Sequence, residues 1–459
     1  MTTPAEAVTR LRAAFDAGLT RPVPWRREQL LGLERMLDED EAAILDALAS
    51  DLGRSEVVSH LADLGTARSS ISHTLKHLDD WVAPRRVKVP VSQKPGRAEL
   101  IAEPLGVVCV IAPWNYPFLL AVGPLIAAIS AGNTALVKPS ELAPATSALL
   151  ADLLPRYVDP EAIAVVEGGP DVAEAVLAER FDHIFFTGST RIGKVVMTAA
   201  AAHLTPVTLE LGGKSPAIVD RSARLGVTAR RIALGKFLNA GQTCIAPDYV
   251  LVDESVVDQF VDQLTTAVDD FYGADPKLCA DYGRIVNRRH LDRLRGLIDA
   301  GGFDEVVRGG DSDPEDRYLA PTILTGVSPD SEVMQEEIFG PILPVLSVAS
   351  VADSVRFVNQ RAKPLALYVF AEDDDALDQV VDNTSSGGVC TNHTLMQFAL
   401  PDLPFGGVGD SGMGSYHGQA GFDTFSHLKS VLRKSTRPDP SVLYPPYGKV
   451  KSKMLRSAL

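Results

Sequence analysis

Apolar residues recur at helical spacing through residues 4–80, as at Val8, Leu11 and Phe15 and again at Leu45, Leu48 and Leu52, and predict a helical N-terminal segment. From 83 to 103 the pattern changes to short alternating stretches around Lys94-Pro95-Gly96, which predicts a protruding hairpin of two strands. The next 34 residues, between Glu103 and Lys138, lack any acidic or basic side chain, a length sufficient on paper for a transmembrane helix. Pro113, Pro117, Gly123, Pro124 and Gly132 break that stretch into a strand (105–111), a loop (113–117), a short apolar helix and a second strand (134–137), a buried β-loop-α-β unit.

The alternation continues with strand-like AIAVVEG (162–168), helical DVAEAVLAER and strand-like DHIFFTG (182–188). It recurs beyond residue 210 with SPAIVD (215–220), ARRIALGKFLN (229–239) and YVLVDE (249–254). Strand and helix alternating in this way imply an α/β protein of mostly parallel, doubly wound sheets covered on both faces, with a second α/β unit after residue 210. The Pro-, Tyr- and Lys-containing end, PPYGKVKSKMLRSAL, is too polar for a bilayer and is expected on the surface.

The 459 residues include 44 basic and 59 acidic side chains, a formal charge of −15. An anionic surface repels phosphate backbones and anionic headgroups, so nucleic-acid binding is not expected. Cys109, Cys244, Cys279 and Cys390 lie far apart with no CxxC pair, as free thiols of a reducing compartment do. The opening MTTPAEAVTRLRAAFDAG lacks the basic and apolar regions of a secretory signal, which makes the cytoplasm the expected location.

Cys109 and Cys390 sit in β-like runs and read as small buried hydrophobes, while Cys279 lies in a polar loop. Cys244 differs in its flanks, Gly241-Gln242-Thr243-Cys244-Ile245-Ala246-Pro247, which suit a backbone that brings a thiol and its own N–H to a substrate. Glu210, between two leucines before Gly212-Gly213, is either a solvated edge carboxylate or a general base in a cavity that raises its pKa. Asn115, in Pro113-Trp114-Asn115-Tyr116-Pro117, either satisfies a turn or is a rigidly aimed oxyanion donor. Gly188 and Ser189 follow a strand and open a helix, where amides meet a phosphate or merely make a βα connection. His73 and His77 share a helix face without the intervening acid of HExxH, and no metal site is expected.

Taken in order, PWNYPF (113–118), VKPSE (137–141), FTGSTRIGK (186–194), LELGGKSP (209–216), GQTCIAPDYV (241–250), EEIFGPILPV (336–345) and LPFGGVGDSGMGSYHG (403–418) closely resemble the aldehyde dehydrogenase superfamily, from residue 113 to about 432. KPSE and the SGMGSYHGQAGFDTFSH ending look most like its class 3 branch, which oxidises fatty, aromatic and coniferyl aldehydes. The resemblance implies two Rossmann-like domains and a small β bridging domain. It divides the chain into a NAD-binding part (1–82 and 104–210), bridging strands (83–103 and 426–434) that pair subunits into a homodimer, a catalytic part (211–425) and a surface tail (435–459). The last fifteen residues carry Lys449, Lys451, Lys453 and Arg456, unlike the hydrophobic tails of membrane-bound relatives, so no membrane anchor is carried over.

It further implies that Cys244 is the nucleophile, Asn115 with the Cys244 N–H the oxyanion donors, and Glu210 the base that hydrolyses a thioester. Lys138 and Glu141 would meet the adenosine ribose, and Gly188 and Ser189 the pyrophosphate. Glu337 and Phe339 would meet the nicotinamide ribose, with Trp114, Gly193 and Leu211 also at the cofactor. Tyr116, His393 and Phe405 would line the aldehyde tunnel. Glu141 favours NAD over NADP, because a carboxylate accepts from a free 2′-hydroxyl and repels a 2′-phosphate; NADP stays possible. An acylating enzyme that passes its thioester to coenzyme A, a non-redox cysteine hydrolase and a non-catalytic protein on this fold are the competing readings. The acid at 210 favours water over coenzyme A, a hydrolase would need a Cys and His pair that the sequence does not assign, and the intact Asn115, Glu210 and Cys244 set argues against a non-catalytic role.

Overall fold

The computed structural model describes residues 3–458. The N-terminal segment forms helices α1 (Pro4–Asp16), α2 (Val23–Glu39), α3 (Glu41–Leu52), a short α4 (Glu56–Ser59) and α5 (Thr66–Val82), with a π-helical turn at His60–Gly65 between the last two. Thr3 opens α1 with a reciprocal capping box to Glu6, and Gly53 closes α3 in the left-handed conformation.

The expected hairpin is present as β1 (Arg85–Val87) and β2 (Gly96–Pro104). The apolar stretch folds as β3 (Val107–Ile111), α6 (Leu119–Ala131) and β4 (Thr134–Lys138), all but fully buried. Alternation then gives α7 (Pro144–Tyr157), β5 (Ile163–Val165), α8 (Pro170–Ala178), β6 (His183–Thr187), α9 (Thr190–Ala201) and β7 (Val207–Glu210). These strands are parallel in the order β5-β4-β3-β6-β7. The order reverses between β3 and β6, which opens a crevice at the carboxyl ends of those strands, where open α/β sheets bind ligands.

The second half builds β8 (Pro216–Val219), α10 (Leu225–Phe237), β9 (Tyr249–Asp253), α11 (Val257–Tyr272), α12 (Arg288–Asp299), β10 (Glu305–Arg308), a small ribbon of β11 (Ser312–Asp313) and β12 (Tyr318–Leu319), β13 (Thr322–Thr325), β14 (Ile342–Val348), α13 (Val351–Asn359), β15 (Ala366–Phe370), α14 (Asp374–Asn383) and β16 (Gly388–Thr391). Its seven-stranded sheet, β10-β13-β14-β9-β8-β15-β16, is parallel except for β10. The fold is therefore two Rossmann-like parallel sheets with an added β unit.

The chain then crosses back. β17 (Gly412–Met413) pairs antiparallel with β7, setting Gly412 opposite Glu210, so the stretch 211–425 is not confined to the second sheet. Beyond α15 (Gly418–Thr424), β18 (Ser426–Lys434) pairs with β2 along nine residues and completes a three-stranded sheet with β1. The end is exposed and carries α16 (Lys449–Ala458). Among the described residues no helix is long and apolar enough to cross a membrane.

Candidate functional site

The first sheet delivers three groups of residues to its crevice. Asn115 and Trp114 lie on the loop after β3, Lys138 ends β4, and Gly188 with Ser189 leads from β6 into α9. Ser189 caps α9 by accepting from Ile192 N–H at 3.4 Å, which leaves earlier first-turn amides without partners inside the helix. The backbone here is cradled closely. A Cβ at Gly188 would meet the Phe186 ring at 2.6 Å, and one at Gly193 would meet Leu211 Cδ2 at 2.7 Å. Lys138 is buried and donates to Glu141 Oε2 at 3.1 Å, while the Glu141 side chain is 40% exposed.

Cys244 follows an unusual turn. After α10 the chain takes three consecutive left-handed residues, Asn239 (φ +53°), Ala240 (φ +51°) and Gly241 (φ +75°). Non-glycine residues there are strained and persist only when their surroundings over-determine them. Here they do: Asn239 Nδ2 donates to Asn115 O at 2.9 Å, and Gln242 Nε2 donates to Asn239 O at 3.0 Å and Arg284 O at 2.9 Å. Gln242 Oε1 accepts from Val286 N–H at 2.9 Å. Asn115 Nδ2 donates to Gln242 O at 3.0 Å, and the Tyr116 and Thr243 hydroxyls lie 2.7 Å apart. The Pro-flanked loop and the cysteine turn are thus one bonded unit, with Cys244 half-buried upon it.

Two carboxylates face that cysteine. Glu210 is 2% exposed, and neither of its oxygens has a protein partner. Burial raises its pKa well above the carboxylate range, so it is the cavity carboxylate of the two sequence readings and not a solvated edge. Glu337 is pushed up to about 8 by burial and by Asp248, against the pull of the Gly213 N–H, Lys214 and Arg293. The Cys244 thiol is raised to about 12 by burial, Glu337 and Glu210, while its own N–H and that of Ile245 pull the other way. At neutral pH the resting cysteine is a thiol, and forming the thiolate needs a base and a nearby positive charge.

The segment carrying Glu337 and Phe339 is held by charges that sequence reasoning missed. Lys214 pairs with Asp248 and donates to Val333 O at 2.9 Å and Glu336 O at 3.0 Å. Asp248 Oδ1 accepts from Ile338 N–H at 3.1 Å, and the fully buried Lys236 stands 4.0 Å from it. The visible signal for Lys236 was a lone charge inside the apolar run ALGKFLN. Phe339 is left-handed (φ +47°) and meets the Trp114 ring edge-on at 5.3 Å. A Cβ at Gly241 would strike Gly340 O at 2.2 Å, and one at Gly212 would strike the Glu337 carboxylate at 2.1 Å, so this segment, the cysteine turn and the end of β7 lie in mutual contact.

The other predicted side chains fall at varying distance from this unit. Tyr116 is buried with its hydroxyl committed to Thr243, and Phe405 is buried edge-on to Phe398 at 4.8 Å and stacked on His417 at 5.5 Å. His393 is half-buried, with Nδ1 bonded to the backbone of its neighbour Thr394. A narrow cleft elsewhere is lined by Thr66, Thr74, Leu119, Phe398, Tyr416 and His417; the last three carry rings that the motif reading did not single out, and Tyr116, Phe405 and His393 do not line it. Cys109 is buried as expected, whereas Cys390 is half-buried at the end of β16 and not a core thiol, because an edge strand covers only part of it. His73 and His77 lie side by side along α5 with ring centroids 4.6 Å apart and ring planes tilted by 40°. Among the described residues no group of three or more His, Cys, Asp or Glu could hold a metal ion.

The chain as a whole resembles known proteins in sequence and fold. The chain is 48% identical over 448 residues to the rat protein named aldehyde dehydrogenase, dimeric NADP-preferring, covering 97% of this chain and 98% of that one. It is 49% identical to mouse aldehyde dehydrogenase family 3 member A2, covering 97% and 92%. The solved substrate-bound state of Staphylococcus aureus AldH superposes with a TM-score of 0.96 at 45% identity, covering 100% of this chain and 99% of that one. The model described as the aldehyde dehydrogenase family matches residues 3–431, and the chain belongs to that family, beside its class 3 members.

Proposed function

We propose that this enzyme oxidises aldehydes to carboxylic acids with NAD or NADP through a thioester on Cys244. The observation that carries the reading is the bonded unit of Asn115, Gln242 and the strained turn, which holds a half-buried cysteine against a buried carboxylate without a partner. The cofactor fits the tight Gly188 and Gly193 backbone, the first turn of α9, Lys138 and Glu141 at the adenosine end, and Glu337, Phe339, Trp114 and Leu211 toward the ring. When bound, its nicotinamide accepts a hydride and brings positive charge.

The protein's own part follows. The Cys244 thiol gives its proton through water to solvent, and the sulfur bonds to the carbonyl carbon as the C=O π pair moves onto oxygen. Asn115 Nδ2 has a second hydrogen beyond the one given to Gln242, and with the Cys244 N–H it receives the resulting oxyanion. Collapse of that oxyanion expels the carbon-bound hydrogen with its electron pair and leaves a thioester. Glu210 takes a proton from water, the hydroxide attacks, and the C–S bond breaks to release acid and thiolate. A carboxylate with a raised pKa is a stronger base than a solvated one, which suits Glu210 to that task. The same acid supports water over coenzyme A as the acceptor.

Tyr116, Phe405 and His393 wall the aldehyde channel in this reading, and their ring-bearing side chains suit apolar or aromatic aldehydes. The first sheet with residues 1–82 serves as the cofactor domain and 211–425 as the catalytic one. The edge of β18 leaves backbone groups open to a second subunit, which supports a homodimer. Four free thiols support a cytoplasmic setting. Octanal, benzaldehyde and a cinnamaldehyde, assayed with NAD and NADP on the wild type and Cys244→Ala, test the proposal: the wild type reduces cofactor and the variant does not, and retained turnover in the variant overturns it.

A further inference from the structure

A buried ion pair outside the catalytic set reaches the cysteine turn through the Pro-flanked loop. Arg54, just past the end of α3, donates from Nη2 to Asp63 Oδ2 at 2.8 Å, with side chains 1% and 0% exposed. Asp63 sits in the π-helical turn His60–Gly65, a backbone irregularity that often marks a functional position. Its other oxygen accepts from Leu119 N–H at 2.9 Å, the first residue of α6. Phe118, at the cap position, has no side chain able to satisfy that amide, so Asp63 caps the helix from outside.

The guanidinium stands 5.1 Å from the Tyr116 ring centroid, close enough for the ring face to attract the cation. The Tyr116 hydroxyl in turn lies 2.7 Å from the Thr243 hydroxyl, one residue before Cys244. Arg54 Nε and Nη1 are buried without a partner. An ion pair taken from water and left partly unsatisfied adds little to a fold over an apolar pair of the same volume, so its contacts with Leu119 and Tyr116 are what distinguish it here.

We infer that Arg54 and Asp63 are positioning residues for the aldehyde-oxidising site: Asp63 fixes the start of α6, Arg54 fixes the Tyr116 ring, and Tyr116 holds Thr243 and so the orientation of Cys244. This rests on Cys244 being the nucleophile. It needs no contact of either residue with substrate or cofactor.

The test is a double-variant cycle on the full enzyme without cofactor, reading the rate at which iodoacetamide alkylates Cys244, with the label located by peptide mass, alongside kcat and the KM for NAD. Tyr116→Phe and Arg54→Met are each expected to slow alkylation and kcat about tenfold with KM for NAD within about twofold, and the double variant to be no slower than the slower single, as residues in one chain of contacts behave. Arg54→Lys keeps the cation and is expected within about threefold of wild type. Single effects that multiply in the double variant, or alkylation of Arg54→Met at the wild-type rate, overturn the inference. Should Arg54→Met fail to fold, the cycle of Arg54→Gln, which removes the cation but keeps a polar side chain, with Tyr116→Phe carries the same criterion of non-additivity. A label that lands elsewhere than Cys244, or turnover by Cys244→Ala, refutes the nucleophile and not the positioning pair.

Discussion

The Asn115 side-chain amide donates to the Gln242 carbonyl at 3.0 Å, and the Asn239 side-chain amide donates back to the Asn115 carbonyl at 2.9 Å. This two-way link joins the loop that follows β3 of the first sheet to the turn that precedes Cys244 in the second. Each donor is buried; losing the Asn239 amide takes the partner from the Asn115 carbonyl, and losing the Asn115 amide leaves the Gln242 carbonyl with only the longer bond from Asn239 Nδ2 at 3.3 Å. The link therefore fixes the oxyanion donor and the nucleophile relative to one another, although they stand 129 residues apart.

Asn115→Ala removes the carboxamide that serves both the link and the oxyanion. The expected outcome is a fall in kcat of about 10² to 10³, the range seen on deleting one oxyanion donor, with a much smaller change in the KM for NAD. Steady-state kinetics over both substrates check this, and an unchanged kcat would remove Asn115 from the reaction.

Glu210→Gln keeps the shape of the side chain but cannot take a proton from water. A burst of reduced cofactor equal to the enzyme concentration is expected, followed by a stalled acyl adduct visible in the intact mass. The same variant tests the electrostatics. Because burial raises the folded pKa above the ordinary 4.5, the folded state holds a proton that the unfolded state loses first. Stability then falls as pH rises above about 4.5, by up to about 1.4 kcal/mol per pH unit, until the folded pKa is reached. Urea titrations at pH 5 and 7 are expected to show the wild type losing more stability than Glu210→Gln over that interval; parallel losses would mean that Glu210 is ionised throughout.

The order of strands and helices was legible because β3, α6 and β4 are apolar over almost their whole length and are punctuated by Pro and Gly where the chain turns. Cys244, Asn115 and Glu210 were legible only as members of ordered motifs, since the spacing of each alone admits a plain structural reading. The Asp248 cluster was not legible. Lys214 before β8, Lys236 in α10 and Asp248 before β9 meet only when those elements pack, and the lone charge in ALGKFLN hints that Lys236 is buried without showing which groups it joins. The return of Gly412 to pair with Glu210 was equally hidden, because two residues of strand carry no periodicity.

Gly212→Ala places a methyl group where the Glu337 carboxylate lies, with its oxygens 2.1 and 2.5 Å from the new Cβ. The obstructed group is the free end of a side chain, so the carboxylate shifts and the backbone stays. The KM for NAD is expected to rise about tenfold, the equivalent of about 1.4 kcal/mol of binding, with the melting temperature within a few degrees of wild type. A wild-type KM would place Glu337 outside the cofactor site.

Glu141 decides how the adenosine end treats a 2′-phosphate. Its carboxylate is 40% exposed and 3.1 Å from the Lys138 ammonium, so it stands at the mouth of the crevice with its charge only partly offset. A dianionic phosphate brought near it meets repulsion on one side and the lysine on the other, and the balance sets the preference. Glu141→Gln removes the repulsion, keeps a hydrogen-bonding oxygen for a ribose hydroxyl and frees Lys138 for the phosphate. The ratio of kcat/KM for NADP to that for NAD is expected to rise about tenfold, mostly through a lower KM for NADP, and the gain shrinks at high salt as screening replaces the lost repulsion. Kinetics with both cofactors at two ionic strengths measure it; a ratio unmoved by the substitution would mean that Glu141 does not face the 2′ position.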